Sequence, residues 1–453
     1  MRVSDNRRYL VDDDGSPFFY LADTSWALFQ SVSLAEAEHY LRVRRDQGFT
    51  VVMPVLVRDL EGGERHEGGP PFVDGDATRP SERFFGHVDT IVAAANDLGL
   101  VVALLPVWGQ YVAPGADGRA PAITPQNARG YGEYLGRRYA ARRVIWVLGG
   151  DRNPEDASFA AVWPAMAEGI KATAGGRHLM TYHPTAVASS AEWFHAAPWL
   201  DFNMWQTSTR LRLDYCRLLL GDYNRSPVKP FVDAEVRYEH SHEVFTQPPR
   251  GVRMTPQRVR QAAYYAMLCG ALGHTYGCRD VWCFYVPSDR PPDRDVDLHW
   301  RDALHLPAAR QLRHWRTLFT RYPWYLLSPD QDGALVVLGS GEGNHRIQGA
   351  VAGDGSFALV YLPDDMPVWI DLNRLGGDAV DAEWFDPATG GWTFAGRHYA
   401  KSVNRFHWEA NPGGQDHVLV LRVPSRAAAA EGERGRRAGA PQARRAAGRR
   451  PAT

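Results

Sequence analysis

The sequence predicts a (β/α)8 TIM barrel over residues 1–325, followed by a small antiparallel β-sandwich over 326–424. Three observations carry that prediction. Eight short apolar runs alternate with stretches of helical periodicity, the order that gives a parallel sheet covered by helices. Most of those runs are continuously apolar, as expected of strands buried on both faces. Beyond Trp324 the helical periodicity stops, and short β-like segments separated by Gly, Asp, Asn and Pro take over.

A hairpin comes first, with apolar runs on either side of the turn Asp13-Asp14-Gly15-Ser16 within Tyr9–Leu21. The eight strand candidates are Phe18–Asp23, Val51–Val57, Val101–Trp108, Val144–Gly150, His178–His183, Asp201–Gln206, Pro230–Val236 and Val281–Val286. Helical patterns run from Leu34 to Gln47 and from Phe84 to Leu98, each stopped by a glycine, Gly48 and Gly99. Thr124-Pro125 reads as an N-cap followed by proline in the first turn, and a further helix is expected from Val259 to Leu272. No G-x-G-x-x-G follows the first strand, which weakens a Rossmann reading. In the second domain, ALVVLG, SFALVYLP, AVDAEWFD and HVLVLRV read as strands, and Asp386–Gly391 as a hairpin tip. That domain is expected either to buttress the barrel or to bind ligand.

The net charge of −1 hides an asymmetry. Residues 425–453 hold eight Arg and two Glu with no large apolar residue, and read as a disordered basic tail. The body is correspondingly acidic, which argues against a nucleic-acid partner. No run is long and apolar enough to span a membrane, and the first residues lack the apolar stretch of a secretory signal. Cytoplasmic localisation is the expectation. Cys216, Cys269, Cys278 and Cys283 show no disulfide framework and no C-x2-C pair, and Cys283 is read as part of the eighth strand. Neither a metal nor an organic cofactor is expected, and nothing in the sequence sets the oligomeric state.

In such a barrel the chemistry sits at the C-terminal ends of the strands. Those ends deliver Asp23 and Trp26 from the first, Trp108 from the third, and Asp151, Arg152 and Asn153 from the fourth. The fifth delivers Tyr182 and His183, the sixth Trp205 and Gln206, the seventh Glu235, Arg237 and Tyr238, and the eighth Trp282. Carboxylates, amides, guanidinium groups and indole faces together are what a sugar needs: rings stack on its C–H face while polar groups take its hydroxyls. Asp151 and Glu235 stand out, because each follows an apolar strand where a carboxylate is costly without a partner or a purpose. Each alone could form a structural ion pair with Arg152 or Arg237. Together they match the two carboxyl groups of glycoside hydrolysis. Asp233 is expected to face away from Glu235 and to be structural. No H-E-x-x-H, G-x-S-x-G or Walker A motif competes.

The runs FFYLADTSW, VIWVLGGDRNP, TYHPTAVASSAEWFH, LDFNMWQTS and KPFVDAEVRYE resemble the apiosidase-like catalytic domain of glycoside hydrolase family 140. The resemblance covers about Tyr9 to Leu327, and members often carry a collagen-binding-type β domain C-terminally. It implies a retaining glycosidase with Asp151 as acid/base and Glu235 as nucleophile. Ala22, Ala27 and Ala186 depart from the pattern expected around those runs, as does the Gly- and Glu-rich loop Asp59–Pro71. The partner implied is a carbohydrate or glycoside. The alternative is a carbohydrate-binding protein that keeps the barrel without useful turnover.

Overall fold

The computed structural model describes residues 1–61, 65–113, 119–244, 251–408 and 415–424. The expected basic tail and part of the Asp59–Pro71 loop lie outside these residues.

Eight parallel strands curl into a barrel: β1 (Tyr20–Thr24), β2 (Val51–Met53 and, after Pro54, Val55–Val57), β3 (Val101–Val107), β4 (Val144–Gly149), β5 (Met180–His183), β6 (Asn203–Ser208), β7 (Phe231–Val236) and β8 (Gly273–Tyr276). Ladders run in the order β8-β1-β2-β3-β4-β5, and β6 pairs with β7. A few bonds outside regular ladders close the two remaining seams, the Asp201 N–H on the Met180 carbonyl at 2.8 Å among them. The Thr181 hydroxyl donates to the Phe202 carbonyl at 2.7 Å, and the Leu272 N–H to the Phe231 carbonyl at 2.9 Å.

The helices outside are α1 (Leu34–Asp46), α2 (Glu82–Asp97), α3 (Ala128–Tyr139), α4 (Ala157–Ala174), α5 (Ala191–Phe194), α6 (Tyr215–Tyr223), α7 (Pro256–Leu268), α8 (Arg279–Trp282), α9 (Trp300–Ala303) and α10 (Pro307–Thr320). Ser33 caps α1 in a full capping box with Glu36, and Ser81 caps α2, so both start where their orphan N–H groups find oxygen. Gly48 and Gly99 follow these helices with φ of +92° and +80°, the left-handed exit that the sequence signals. Helix α3 begins at Ala128, later than Thr124-Pro125 implies, because Asn127 occupies its N-cap position. Among the described residues no helix is long and apolar enough to cross a membrane.

Alternation along the strands divides the core in two. Tyr20, Ala22, Val51, Met53, Ala103, Val147 and Met204 fill the lumen, and Leu10 and Phe18 of the N-terminal hairpin plug one end of it. The intervening residues face the helices.

The eighth strand is Gly273–Tyr276 and not Val281–Val286. The latter stretch begins in the single-turn helix α8, with Cys283 as its C-cap. Packing rather than apolarity sets the sequence of β8: a Cβ on Gly273 would lie 2.0 Å from the Tyr20 carbonyl oxygen. Helix α7 correspondingly ends at Leu268, four residues before the expected Leu272.

The C-terminal domain is a two-sheet sandwich. Strands β9 (Leu327–Pro329), β10 (Val336–Leu338), β11 (Gln348–Ala352), β12 (Phe357–Leu362), β13 (Val368–Asp371), β14 (Ala379–Phe385), β15 (Trp392–Tyr399), β16 (Val403–Phe406) and β17 (His417–Arg422) follow one another. Their orders are β9-β11-β12-β17-β14-β15 and β10-β13-β16. The expected hairpin tip joins β14 to β15, closed by the Asp386 N–H on the Gly391 carbonyl at 2.9 Å. Leu335, Val360, Ile370 and Leu419 lie between the sheets. The outer face of the larger sheet packs on the barrel helices: Tyr361 stacks on Tyr264 of α7 at 4.8 Å, and Arg260 pairs with buried Asp416.

One buried ion pair ties the barrel wall to its first helix. Asp23 of β1 faces outward with no exposed area and accepts from Tyr40 and Arg44 of α1, both at 2.6 Å. Replacing Asp23 by Ala leaves Arg44 buried without its counter-ion. The expected result is a loss of roughly 3–5 kcal/mol in urea-induced unfolding, and a loss under about 1 kcal/mol would remove the pair from this role.

Candidate active site

Where β4 ends, three residues in succession take positive φ: Gly149 at +88°, Gly150 at +113° and Asp151 at +56°. The glycines are required by space as well as by angle. A Cβ on Gly149 would lie 2.4 Å from the His183 carbonyl oxygen, and one on Gly150 would press on Gly109 and the Trp108 ring. This turn carries Asp151 over the end of the barrel, where it is exposed. The Thr185 hydroxyl donates to its Oδ1 at 2.8 Å, and the Thr185 N–H is itself held by Asn153 Oδ1 at 2.9 Å.

On β7 a bulge does the equivalent work. Trp205 pairs with Asp233 but Gln206 with Glu235, so Ala234 is an extra residue in the ladder. Val232 and Ala234 face the lumen, while Val236 beyond the bulge packs outward. Glu235 thus enters the mouth of the barrel one position early. Unbroken alternation would set Asp233 and Glu235 on one face; the bulge separates them. Asp233 points outward and is saturated by Thr207 and by Tyr215 of α6, the latter at 2.9 Å.

Glu235 has 18% of its side chain exposed, and its Oε2 lies 3.5 Å from His183 Nε2. His183 Nδ1 accepts from the Asp151 backbone N–H at 3.4 Å, which leaves the ring proton on Nε2, facing Glu235. Tyr238 and Gln206 also donate to the Glu235 carboxylate. Tyr238 accepts from Trp26 Nε1 at 3.1 Å, and it has room only because residue 277 is glycine: a Cβ there would meet its ring at 1.9 Å. Trp26 packs against Trp108 at 5.4 Å and edge-on to His183 at 5.5 Å, completing the aromatic wall.

Burial is the first cause that pushes Glu235 up to about 8, and the negative charge of Asp151 is the second. Burial also holds His183 down at about 4, so the imidazole is neutral at physiological pH. Glu235, Tyr238 and Trp282 line a cleft of about 200 Å³ with Ser208, Thr209, His242, Arg279 and Asp295. Larger hollows of about 530 and 490 Å³ open elsewhere, around Arg142, Arg177 and His178, and neither reaches these carboxylates. Chemistry, not size, marks the site.

Of the residues expected from the sequence, Trp26, Trp108, Asp151, His183, Gln206, Glu235, Tyr238 and Trp282 come together. Arg152 is exposed beside Asp151, and Asn153 shapes the turn through Thr185. Four others do not face the cleft. Asp23 is buried against Arg44. Tyr182 points outward between Trp163 and Phe194, and its hydroxyl donates to the Arg152 carbonyl. Trp205 packs on the helix side of β6. Arg237, 1% exposed, is held by Gln261, the Arg258 carbonyl and Asn344. Asp23, Tyr182 and Trp205 each lie one step out of phase with the inward positions, while Arg237 lies beyond the end of β7. Trp282 reaches the cleft from α8 rather than from a strand. His242, Arg279 and Asp295 were not anticipated, because they lie outside every predicted strand end, in the segments that follow β7 and β8. Asp295 accepts from both the N–H and Nδ1 of His242, at 2.7 and 2.8 Å, and from Arg279 at 3.1 Å.

A family model described as "Apiosidase-like, catalytic domain" matches residues 4–326. A second, described as "Putative collagen-binding domain of a collagenase", matches residues 329–422. Comparison with curated proteins finds no match. Among solved structures, one titled "Glycoside hydrolase" is 27% identical with a TM-score of 0.84, over 93% of this chain and 96% of that one. A glycoside hydrolase family 5 protein from Bacteroides vulgatus ATCC 8482 is 28% identical with a TM-score of 0.84, over 93% of each chain. A third structure from the same organism shares the fold at 17% identity and a TM-score of 0.64, over 93% of this chain and 84% of that one. With the catalytic-domain model spanning the whole barrel, the chain belongs to the apiosidase-like family of glycoside hydrolases.

Proposed function

We propose that the protein is a retaining glycosidase, with Glu235 as the nucleophile and Asp151 as the general acid/base. The observation that carries this reading is the pairing of the two groups around one imidazole: Asp151 holds Nδ1 through its backbone, and Glu235 lies against Nε2. Retention needs the two carboxyl groups roughly 5–5.5 Å apart, whereas inversion needs about 6.5–9.5 Å. In the first step Glu235 attacks the anomeric carbon as Asp151 protonates the departing oxygen. In the second, Asp151 takes a proton from water, which displaces Glu235. Tyr238 and Gln206 supply the donors that stabilise Glu235 as an anion, while the His183 Nε2–H faces it at 3.5 Å without a hydrogen bond. The Trp282 Nε1–H and Gln206 Oε1 lack partners among the described residues and suit sugar hydroxyls.

Glu235 holds a proton up to about pH 8, and double displacement needs one proton on the pair. The reactive form has that proton on Asp151 and the charge on Glu235. Activity on unactivated glycosides therefore falls as pH rises through about 8. In Asp151→Asn the neighbouring charge is gone, so Glu235 ionises at lower pH. Hydrolysis of a dinitrophenyl glycoside, whose leaving group needs no acid, then rises through that lower value and stays high in alkali. A bell unchanged from wild type would contradict this.

The two carboxylates separate by kinetic role. A panel of aryl glycosides, including apiosides and arabinosides, identifies the substrate. On it, Glu235→Ala abolishes turnover whatever the leaving group. Asp151→Ala loses roughly 10²–10⁴-fold on poor leaving groups and far less on activated phenols. Azide restores Asp151→Ala and gives a product of retained configuration, but an inverted one with Glu235→Ala. Near-normal activity in either variant would falsify the pair.

Holding a proton on a buried carboxyl also has a thermodynamic signature. Glu235 binds a proton in the folded chain up to about pH 8 but in the unfolded chain only up to 4.5. Between those values its contribution lowers stability as pH rises. Glu235→Gln lacks that dependence, so its melting temperature relative to wild type increases from pH 5 to pH 8.5 in calorimetry. An offset independent of pH would place the carboxyl in solvent.

A further inference from the structure

A turn of the C-terminal domain grips the two loops that stand behind the active site. Asn344 sits in the short turn Gly343–His345 between β10 and β11, and its side chain reaches into the barrel. Its Oδ1 accepts from Arg237 Nη2 at 2.7 Å, and its Nδ2 donates to the Leu211 carbonyl. The amide has only one orientation that serves both, because a guanidinium only donates and a carbonyl only accepts. Its backbone carbonyl accepts in turn from Gln261 and Tyr265 of α7.

The two segments it grips are the two that frame Glu235. Leu211 follows β6 in the loop whose Ser208 and Thr209 line the cleft. Arg237 stands two residues after Glu235 and immediately before Tyr238, which donates to that carboxylate. Arg237 is buried and has no ion-pair partner among the described residues. Neutral oxygens hold it instead: Gln261 Oε1, the Arg258 carbonyl and Asn344 Oδ1. Arg237 Nε is already buried without a partner among the described residues, and losing a further acceptor leaves still more of a buried charge unsatisfied. The barrel sequence supplies only two of the three.

The geometry points to Asn344 as a positioning residue for hydrolysis: through Arg237 and Leu211 the C-terminal domain sets the β6 and β7 loops around Glu235. This rests on the hydrolase reading for its kinetic consequence, but not for its structural one. The Arg260–Asp416 pair is the natural control, since it joins the same two domains away from the cleft.

Hydrogen–deuterium exchange on the full chain tests the clamp without substrate. In Asn344→Ala, exchange accelerates in residues 208–211 and 235–241, and kcat drops roughly 10-fold with little change in KM. Asn344→Asp keeps the oxygen for Arg237 but has no N–H for Leu211, so only 208–211 accelerates. Asp416→Asn lowers the melting temperature yet leaves both segments and kcat unchanged. Wild-type exchange in Asn344→Ala, or the same exchange and kcat changes in Asp416→Asn, overturns the assignment. If the wild type hydrolyses no glycoside, the hydrolase reading fails, and the exchange pattern alone decides the clamp.

Discussion

A carboxylate taken partly out of water at the mouth of an apolar barrel must be given donors, and the top of this molecule is arranged to supply them to Glu235. His183 turns its Nε2–H toward it, at 3.5 Å, because Asp151 occupies its other nitrogen. Tyr238 reaches the carboxylate because Gly277 leaves space for its ring and Trp26 holds its oxygen. Gln206 arrives in register because the β7 bulge slides Glu235 opposite it. Each donor comes from a different strand or its loop, so the barrel must close before the site exists. Asp151 shares that frame, since the glycines that lift it over the mouth pack against Trp108, Gly109 and the β5 backbone.

The fold class, a barrel followed by antiparallel sheets, was legible in the sequence where apolarity alone decides structure. Val101–Val107 and Val144–Gly149 are buried throughout, and their sequences read so. The β8 strand reads otherwise. Gly273, His274, Thr275 and Tyr276 are dictated by contact with β1 and by a buried imidazole, and periodicity carries no trace of either. The more apolar run that follows therefore took its place. Helix boundaries were legible at Gly48 and Gly99, whose positive φ only glycine adopts freely, and less so at Thr124, where a turn precedes the cap.

At the site, the strand ends were legible but the facing of each side chain was not. A residue one step from the right position turns to the helices, as Tyr182 and Trp205 do beside His183 and Gln206. Nor does the sequence announce a bulge. Asp233 and Glu235 were separated correctly, but by an inserted residue that alternation does not foresee. The His242–Asp295–Arg279 group stayed hidden for a third reason: its members belong to two loops that meet only after β7 and β8 are side by side.

Buried acids in this chain fall into two kinds, and hydrogen-bond satisfaction distinguishes them better than burial does. Asp23, Asp233 and Glu239 are all pushed upward by desolvation, as Glu235 is. Yet each is enclosed by partners that the fold itself provides. Asp23 has Tyr40 and Arg44, Asp233 has Thr207 and Tyr215, and Glu239 has Tyr276 and the backbone of Ala308 and Ala309. These groups fasten elements together, and the one carboxylate oxygen of the three acids without a partner among the described residues, Asp23 Oδ1, is buried away from the cleft. Glu235 differs in keeping part of its carboxyl open to the cleft, beside an indole N–H and an amide oxygen that have no partner among the described residues. A raised pKa marks both kinds of acid. An unfinished hydrogen-bond shell facing a cavity marks only one of them, and that is the ground on which the proposed chemistry is assigned to Glu235 rather than to the more deeply buried Asp233 two residues before it.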